Sequence, residues 1–96
     1  KGWLAHALLP KGSITVDAGA ERALLQQGAS LLAVGVRAVE GEFRRRDAVR
    51  LLSLDGRELA RGLSAMDSQE LQQCQGQRGL VVHRNQLVIT PGAASG

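Results

Sequence analysis

The chain has 96 residues, of which 44% are hydrophobic and only 2% aromatic, and its formal net charge is +3. A chain of this length folds as one domain, and its core has to be built from aliphatic side chains. The single cysteine, Cys74, excludes an internal disulfide and a zinc site with several cysteines, and no apolar run approaches the roughly 18 residues of a membrane-spanning helix.

The first predicted elements are a strand and a helix that meet at Asp17. Ile14 and Val16 give the β-branched, alternating pattern of a strand. Asp17 is a candidate N-cap, since its carboxylate can accept free N–H groups of the first helical turn. Gly28 supplies the left-handed conformation that ends helices, so a helix is predicted over residues 17–27. Four small residues allow this helix to lie close to a sheet: Ala18, Gly19, Ala20 and Ala23.

The middle of the chain has the pattern of three short strands. One strand is predicted over residues 34–43, with Gly41 marking a β-bulge or a close approach of the backbone. The next covers residues 47–54, and residues 58–63 return beside it. The Asp-Gly pair at 55–56 is the turn signal that joins these two strands into a hairpin.

The last third of the chain holds a second short helix and two closing strands. The helix is predicted within residues 64–76, capped by Asp67 or Ser68 and ended by Gly76. The closing strands are predicted over residues 80–82 and 86–90. Five to six short strands with two short helices indicate a mixed α/β, mainly β fold, a small barrel rather than a doubly wound sheet.

The two ends of the chain are assigned from their composition. Residues 3–9 are apolar and are expected to form one or two helical turns, in which Trp3 either covers an interdomain surface or anchors the core. The tail, residues 91–96, is small and polar and is expected to be disordered, which leaves residues 1–90 as the domain. Because the only methionine is Met66, we expect the chain to be part of a longer protein.

Several segments resemble one protein family when they are read in order. They are KGSITVDAGA at 11–20, GASLLAVGV at 28–36, VEGEF at 39–43, ARGL at 60–63, HR at 83–84 and LVI at 87–89. Together they resemble the PUA domain at the C-terminal end of bacterial glutamate 5-kinase, over roughly residues 3–90. The resemblance implies a PUA pseudo-barrel. It also implies a parent enzyme that uses ATP and Mg to phosphorylate glutamate in the first step of proline biosynthesis, with its active site in a kinase domain outside this chain.

The chain departs from the family pattern at three places, and one of them is a turn. The family usually has glycine where this chain has Arg46. Glycine tolerates a positive φ, whereas arginine adopts one at a cost, so the turn is expected to be reshaped.

The residues predict no catalytic or metal site, and no cofactor, within this chain. There is no phosphate-cradling glycine loop followed by lysine. His6 and His83 lack the spacing to acidic residues that a metal site requires. Cys74 has no nearby histidine or acid that would activate its thiol.

The best binding candidates are basic residues. Three consecutive arginines at a strand–turn boundary put at least two guanidinium groups on the surface, where they can hold phosphates in bidentate fashion. In RNA-binding PUA domains the first helix and nearby strands form the RNA face, so the resemblance adds Lys11 and polar residues of the helix. The full set of candidate RNA-binding residues is Lys11, Arg22, Gln26, Arg37, Arg44, Arg45 and Arg46.

The nature of the expected ligand follows from the shortage of aromatic residues. Single-stranded nucleic acids are usually held by stacking on aromatic rings, and only Trp3 and Phe43 are available. A structured RNA such as tRNA, recognised through its backbone and shape, is therefore the expected partner.

Two functions of different classes remain open for the module. It is an RNA-binding domain, or it is a structural and regulatory appendage that packs on its own kinase domain without RNA. A PUA domain from an RNA-modifying enzyme is the third possibility. We expect a cytoplasmic location with no membrane contact, because the sequence shows no signal peptide.

Overall fold

The computed structural model describes residues 10–74 and 79–90, and this part of the chain forms seven strands and two α-helices. Their bounds are β1 Gly12–Val16, α1 Ala18–Gln27, β2 Leu31–Leu32, β3 Val36–Gly41, β4 Ala48–Leu52, β5 Glu58–Leu63, α2 Ser68–Cys74, β6 Leu80–Val82 and β7 Leu87–Ile89. Two short 3-10 turns, Ala33–Gly35 and Arg84–Gln86, directly precede β3 and β7.

The strands form a mixed five-stranded sheet in the order β3-β1-β4-β5-β7 and a separate pair, β2-β6. β1 pairs antiparallel with β3 and parallel with β4, whereas the β4–β5 and β5–β7 pairs are antiparallel. The predicted mainly β fold with two short helices is confirmed. The additional strand, β2, has only two residues and is therefore too short to give an alternating pattern in the sequence.

Helix α1 begins and ends at the predicted capping residues. The backbone N–H of Ala20 donates to Asp17 Oδ1 at 2.7 Å, and Gly28 closes the helix with φ 62°. The small residues allow close packing, as predicted, because a Cβ atom placed on Gly35 would lie 2.6 Å from the Cβ of Ala20. The helix therefore rests directly on the backbone of the 3-10 turn before β3, with Leu24 buried beneath it.

Helix α2 begins with a reciprocal capping box. The backbone N–H of Glu70 donates to Asp67 Oδ1 at 2.7 Å, and the N–H of Asp67 donates to Glu70 Oε1 at 3.1 Å. Of the two predicted caps, Asp67 is therefore the one used. Ser68 is buried instead, and its hydroxyl accepts from the backbone N–H of Phe43.

Three predictions concern segments outside the described residues. They are the end of the second helix at Gly76, the helical turns at residues 3–9 with the role of Trp3, and the tail at residues 91–96.

The core is aliphatic, as the composition predicts, and it lies against the inner face of the five-stranded sheet. Phe43 is the aromatic side chain that joins it, with 3% of its surface exposed. Its fully buried sheet residues are Ile14 and Val16 of β1, Val49 and Leu51 of β4, and Leu59 and Ala60 of β5.

β1 and β3 approach each other closely where Gly12 faces Gly41. A Cβ atom on Gly41, whose φ is 85°, would lie 2.8 Å from Gly12 Cα and 2.9 Å from the carbonyl oxygen of Lys11. A Cβ atom on Gly12 would lie 2.5 Å from the carbonyl oxygen of Glu40. The sequence left open a bulge or a close approach at Gly41, and the structure has the close approach.

The close approach predicts that Gly41→Ala destabilises the domain more than the same substitution at a glycine whose added Cβ would contact nothing. A positive φ costs an L residue about 1–2 kcal/mol, and the backbone contacts at Gly41 add roughly 1–3 kcal/mol. Gly56→Ala is the matched control, because Gly56 has φ 89° and nothing within 4 Å of its would-be Cβ. Urea unfolding followed by circular dichroism measures both losses, and equal losses would contradict the steric account.

Candidate functional site

The cationic side chains divide into two groups according to their partners. Four arginines make ion pairs within the described residues: Arg45 with Glu70, Arg57 with Glu21, and both Arg50 and Arg61 with Glu58. The other cations make no ion pair within residues 10–74 and 79–90: Lys11, Arg22, Arg37, Arg44, Arg46 and Arg84. A phosphate would have to displace a carboxylate from each arginine of the first group, whereas the second group has no ion pair to break.

Arg45 is held against α2 by a bidentate pair. Its Nε donates to Glu70 Oε1 at 2.9 Å while its Nη2 donates to Glu70 Oε2. These hydrogen bonds, together with the backbone N–H of Asp67, lower the pKa of Glu70 to about 2. A phosphate that approached Arg45 would therefore have to displace a carboxylate that stays ionised.

Glu58 engages two further arginines on the outer face of the sheet. Its carboxylate accepts from Arg61 Nε at 3.0 Å and from the Thr90 hydroxyl at 2.6 Å, and Arg50 Nε lies 3.7 Å away. Burial opposes ionisation of this carboxylate, but the hydrogen bonds from Thr90 and Arg61 outweigh burial and lower the pKa of Glu58. Neither arginine belongs to the predicted set, and neither is free.

Lys11 and Arg44, two residues of the predicted set, come together in one groove. The backbone N–H of Lys11 donates to the carbonyl oxygen of Ala48 at 2.8 Å, which fixes Lys11 beside the start of β4. The groove holds about 520 Å³, and three carboxylates line it with the two cations: Glu42, Asp47 and Asp67. The acidic side chains outnumber the cations, so this groove is a poor phosphate site.

Arg22, Gln26 and Arg37 lie elsewhere. Arg22 and Gln26 line a shallow groove on α1 that also contains Glu21. Arg37 is exposed on the edge strand β3, beside the residue that pairs with the last residue of β1. Lys11 precedes the first residue of β1 and Arg37 lies beside the end of this strand, so its length separates the two residues by about 15 Å. The structure therefore divides the predicted set among several surfaces.

Arg46 lines a different groove, of about 420 Å³. The other residues that line it are Leu63, Ser64, Ala65, His83 and Gln86, and none of these described residues is acidic. The Nδ1 atom of His83 accepts from the backbone N–H of Asn85 at 3.0 Å. Because this lone pair is occupied, the neutral imidazole carries its proton on Nε2, where it can donate to a ligand. We call these residues the Arg46 groove.

His83 and Gln86 belong to no site that was predicted from the sequence. The only signal was the His-Arg pair at 83–84, which entered through the family resemblance. The contact that brings this segment to the groove depends on Gly62 of β5. A Cβ atom on Gly62 would lie 2.8 Å from the carbonyl oxygen of Gln86 and 2.5 Å from a methyl group of Val82.

The turn at Arg46 keeps a left-handed backbone. Arg46 has φ 73°, the one positive φ of a non-glycine residue within the described part of the chain. Its backbone N–H donates to the carbonyl oxygen of Ser64 at 2.6 Å, and the next N–H, of Asp47, donates to the carbonyl oxygen of Arg44 at 3.0 Å. These hydrogen bonds hold Arg46 in a left-handed conformation that glycine tolerates more readily, and the expected reshaping of the turn relative to the family stays a prediction.

Two further structural findings concern other kinds of site. Within residues 10–74 and 79–90, no group of three or more histidine, cysteine, aspartate or glutamate side chains is arranged to hold a metal ion. No helix in the same residues is long and apolar enough to cross a membrane.

The sequence matches the family model described as PUA domain over residues 12–85. The chain belongs to the PUA domain family. It is 44% identical to the glutamate 5-kinase of Synechococcus elongatus, in an alignment that covers 94% of this chain and 28% of that relative. The chain thus spans little more than a quarter of the length of the relative, and the resemblance to the PUA domain of glutamate 5-kinases is confirmed.

Solved structures have the same fold. A PUA domain from Aeropyrum pernix K1, in a tartrate complex, superposes with a TM-score of 0.73 and 38% identity over 77% of this chain and 41% of that chain. A chain of an H/ACA RNP bound to a substrate RNA containing 2'-deoxyuridine superposes with a TM-score of 0.70 and 25% identity, over 83% of this chain and 24% of that one.

The backbone of Arg46 predicts that Arg46→Gly stabilises the domain. Releasing a left-handed L residue gains about 1–2 kcal/mol, and the greater freedom of glycine in the unfolded chain offsets roughly 0.5–1 kcal/mol of that gain. The free energy of unfolding should rise by about 0.5–1 kcal/mol in urea titrations. Arg44→Gly is the control, since Arg44 has no positive φ and glycine should lower stability there. A loss of stability in Arg46→Gly would contradict the account.

The pair of Arg45 and Glu70 predicts a stability change in acid. The folded pKa of about 2 lies below the ordinary value of 4.5, so the ionised carboxylate stabilises the fold above about pH 4.5 and this contribution is lost as the pH falls towards 2. Glu70→Gln should therefore show a smaller loss of stability than the wild type between about pH 5 and about pH 2. Glu40→Gln, which removes an exposed carboxylate without an ion pair among the described residues, is the control. Identical pH profiles for Glu70→Gln and the wild type would contradict the role of the pair.

Proposed function

We propose that this chain is the RNA-binding PUA domain of a glutamate 5-kinase. The observation that carries the kinase assignment is the 44% identity to a glutamate 5-kinase over 94% of this chain. In this proposal the whole protein transfers a phosphoryl group from ATP, with Mg, to glutamate in proline biosynthesis, and it works in the cytoplasm. The kinase domain holds the active site, and the present chain contributes binding or regulation rather than catalysis.

RNA binding is supported by the free cations and by the structural neighbours. The chain is basic, with a pI of about 10.0, and several cations of the predicted set are exposed without an ion pair in the described residues. One structural neighbour belongs to an H/ACA RNP bound to a substrate RNA. Exposed positive charge attracts nucleic acids through their phosphates.

The proposed ligand is a structured RNA, with tRNA as the probe. Phe43 is 3% exposed and cannot offer a ring face to a base. Stacking on a phenylalanine, tyrosine or tryptophan ring is therefore unavailable in the part of the chain that the structure describes. Contacts to phosphates, which depend on the shape of a folded RNA, are the remaining mode.

A second candidate is a regulatory appendage that contacts its own kinase domain without RNA. It is favoured by a patch of exposed aliphatic side chains: Leu32 is 44% exposed, Val34 56% and Leu80 37%. The patch adjoins a groove of about 250 Å³ between α1 and the 3-10 turn before β3. Contiguous exposed apolar surface is typical of protein contacts. The third candidate, a domain of an RNA-modifying enzyme, is less supported because the solved H/ACA RNP chain is only 25% identical.

Binding of this chain to folded tRNA at two salt concentrations tests the proposal. We expect micromolar affinity that falls by about 10–50-fold between roughly 50 and 200 mM salt, as two or three phosphate contacts require. Fluorescence anisotropy with labelled tRNA measures both quantities.

Two double variants of equal charge test which arginines matter. Arg44→Ala with Arg46→Ala removes two free guanidinium groups and should weaken binding at least tenfold. Arg50→Ala with Arg57→Ala removes two ion-paired ones and should weaken it far less. Circular dichroism must show both to be folded. No binding by the folded wild-type chain at low salt would overturn RNA binding and leave the regulatory appendage.

A further inference from the structure

We propose that the Arg46 groove is an anion site that receives a phosphate group. The inference deepens the proposed RNA binding, and it rests on the proposed function only for the source of the phosphate, which is RNA rather than a free phosphate compound. It assigns the contact to Arg46, His83 and Gln86, of which the last two were in no predicted site.

The groove offers hydrogen-bond donors and no competing carboxylate. Arg46 brings a guanidinium, His83 brings the Nε2 proton that its bond to Asn85 fixes, and Gln86 brings an amide. The groove of Lys11 and Arg44 differs, because three carboxylates line it. The two grooves contain arginines from the same turn, but only the Arg46 groove is suited to a phosphate.

The donors are also available. Arg46, His83 and Gln86 are all exposed, and Arg46 makes no ion pair within the described residues, whereas the neighbouring Arg45 is bound by Glu70. Arg84 follows His83 in the sequence and is exposed, but it does not line the groove. Its backbone N–H donates to the hydroxyl of Ser30 at 2.9 Å, which fixes the segment that carries His83.

The backbone holds the donors in place before a ligand arrives. The left-handed Arg46 is fixed by its hydrogen bond to Ser64, a residue that is 1% exposed and whose hydroxyl donates to the carbonyl oxygen of Met66 at 2.5 Å. Gly62 allows the backbone of Gln86 to lie against β5. Strained conformations of this kind persist where the surrounding structure determines them, and they concentrate at binding sites.

The size of the groove suits one phosphorylated unit. Its volume of about 420 Å³ falls within the range of small-ligand sites, roughly 300–1,000 Å³. Leu63 and Ala65 give it an apolar wall beside the donors. A phosphate can bind to the donors while the sugar or base attached to it lies along this wall.

Arg46→Gly is the decisive variant, because it removes the guanidinium and also relieves the strain of a positive φ at this residue. It should be at least as stable as the wild type and yet bind tRNA about tenfold more weakly. His83→Asn and Gln86→Ala should each weaken binding about threefold. Arg44→Gly, the control from the same turn, should stay within about twofold of the wild type. Each variant is measured by tRNA anisotropy at low salt and by urea unfolding.

A titration with inorganic phosphate identifies the source of the phosphate. Amide resonances of residues 46, 83 and 86 are followed by NMR in the wild type and in Arg46→Gly.

If tRNA binds and Arg46→Gly weakens this binding, the inference is supported with RNA as the source of the phosphate. If tRNA does not bind but inorganic phosphate shifts these resonances in the wild type alone, the site is supported, a free phosphate compound is its ligand, and RNA binding fails.

Two outcomes overturn the inference. Equal tRNA affinity in the wild type and in Arg46→Gly would remove the groove from the interface and leave RNA binding intact. Absence of both tRNA binding and phosphate-induced shifts would remove the site altogether.

Discussion

The parallel pairing of β1 with β4 is the constraint on which the rest of the structure depends. Parallel strands cannot be joined by a tight turn, so the chain between them has to cross over, and here the crossover contains α1, β2 and β3. Gly12 pairs with Val49, and the backbone bond from Lys11 to Ala48 holds the two strand starts side by side. The arginine turn leads directly into β4, so this pairing decides what surrounds each of its three guanidinium groups.

Acidic partners then decide which cations are available. A net charge of +3 describes the whole chain, but Glu58, Glu70 and Glu21 neutralise four of its arginines locally. The three consecutive arginines have three different surroundings: Arg44 is near carboxylates, Arg45 is bound by one, and Arg46 lies in a groove whose described lining has no acidic residue. Affinity for phosphate follows from this local arrangement, because salt largely screens interactions between exposed charges that are more than about 10 Å apart.

Features that depend on neighbours in sequence could be predicted, and features that depend on distant pairing could not. The caps at Asp17 and Gly28 and the hairpin turn at 55–56 involve contacts over a few residues, so their residue types are sufficient signals. The bond between Arg45 and Glu70 and the meeting of Arg46 with His83 join separate segments, and no local pattern records them. The turn at Arg46 shows the same limit, because the hydrogen bond that accompanies its positive φ goes to Ser64, in a distant segment of the chain.

The position of β3 at one edge of the five-stranded sheet has a consequence for self-association. An open edge invites strands of other molecules, and such contacts lead to aggregation. Here the exposed side chains of Arg37 and Glu40 lie along that edge, and the left-handed Gly41 ends its regular extended backbone. A strand added from another copy would have to accommodate both charges. It could form backbone hydrogen bonds only along the short regular part of β3. These features of β3 therefore disfavour fibril-like stacking of this small, aliphatic β domain at high concentration.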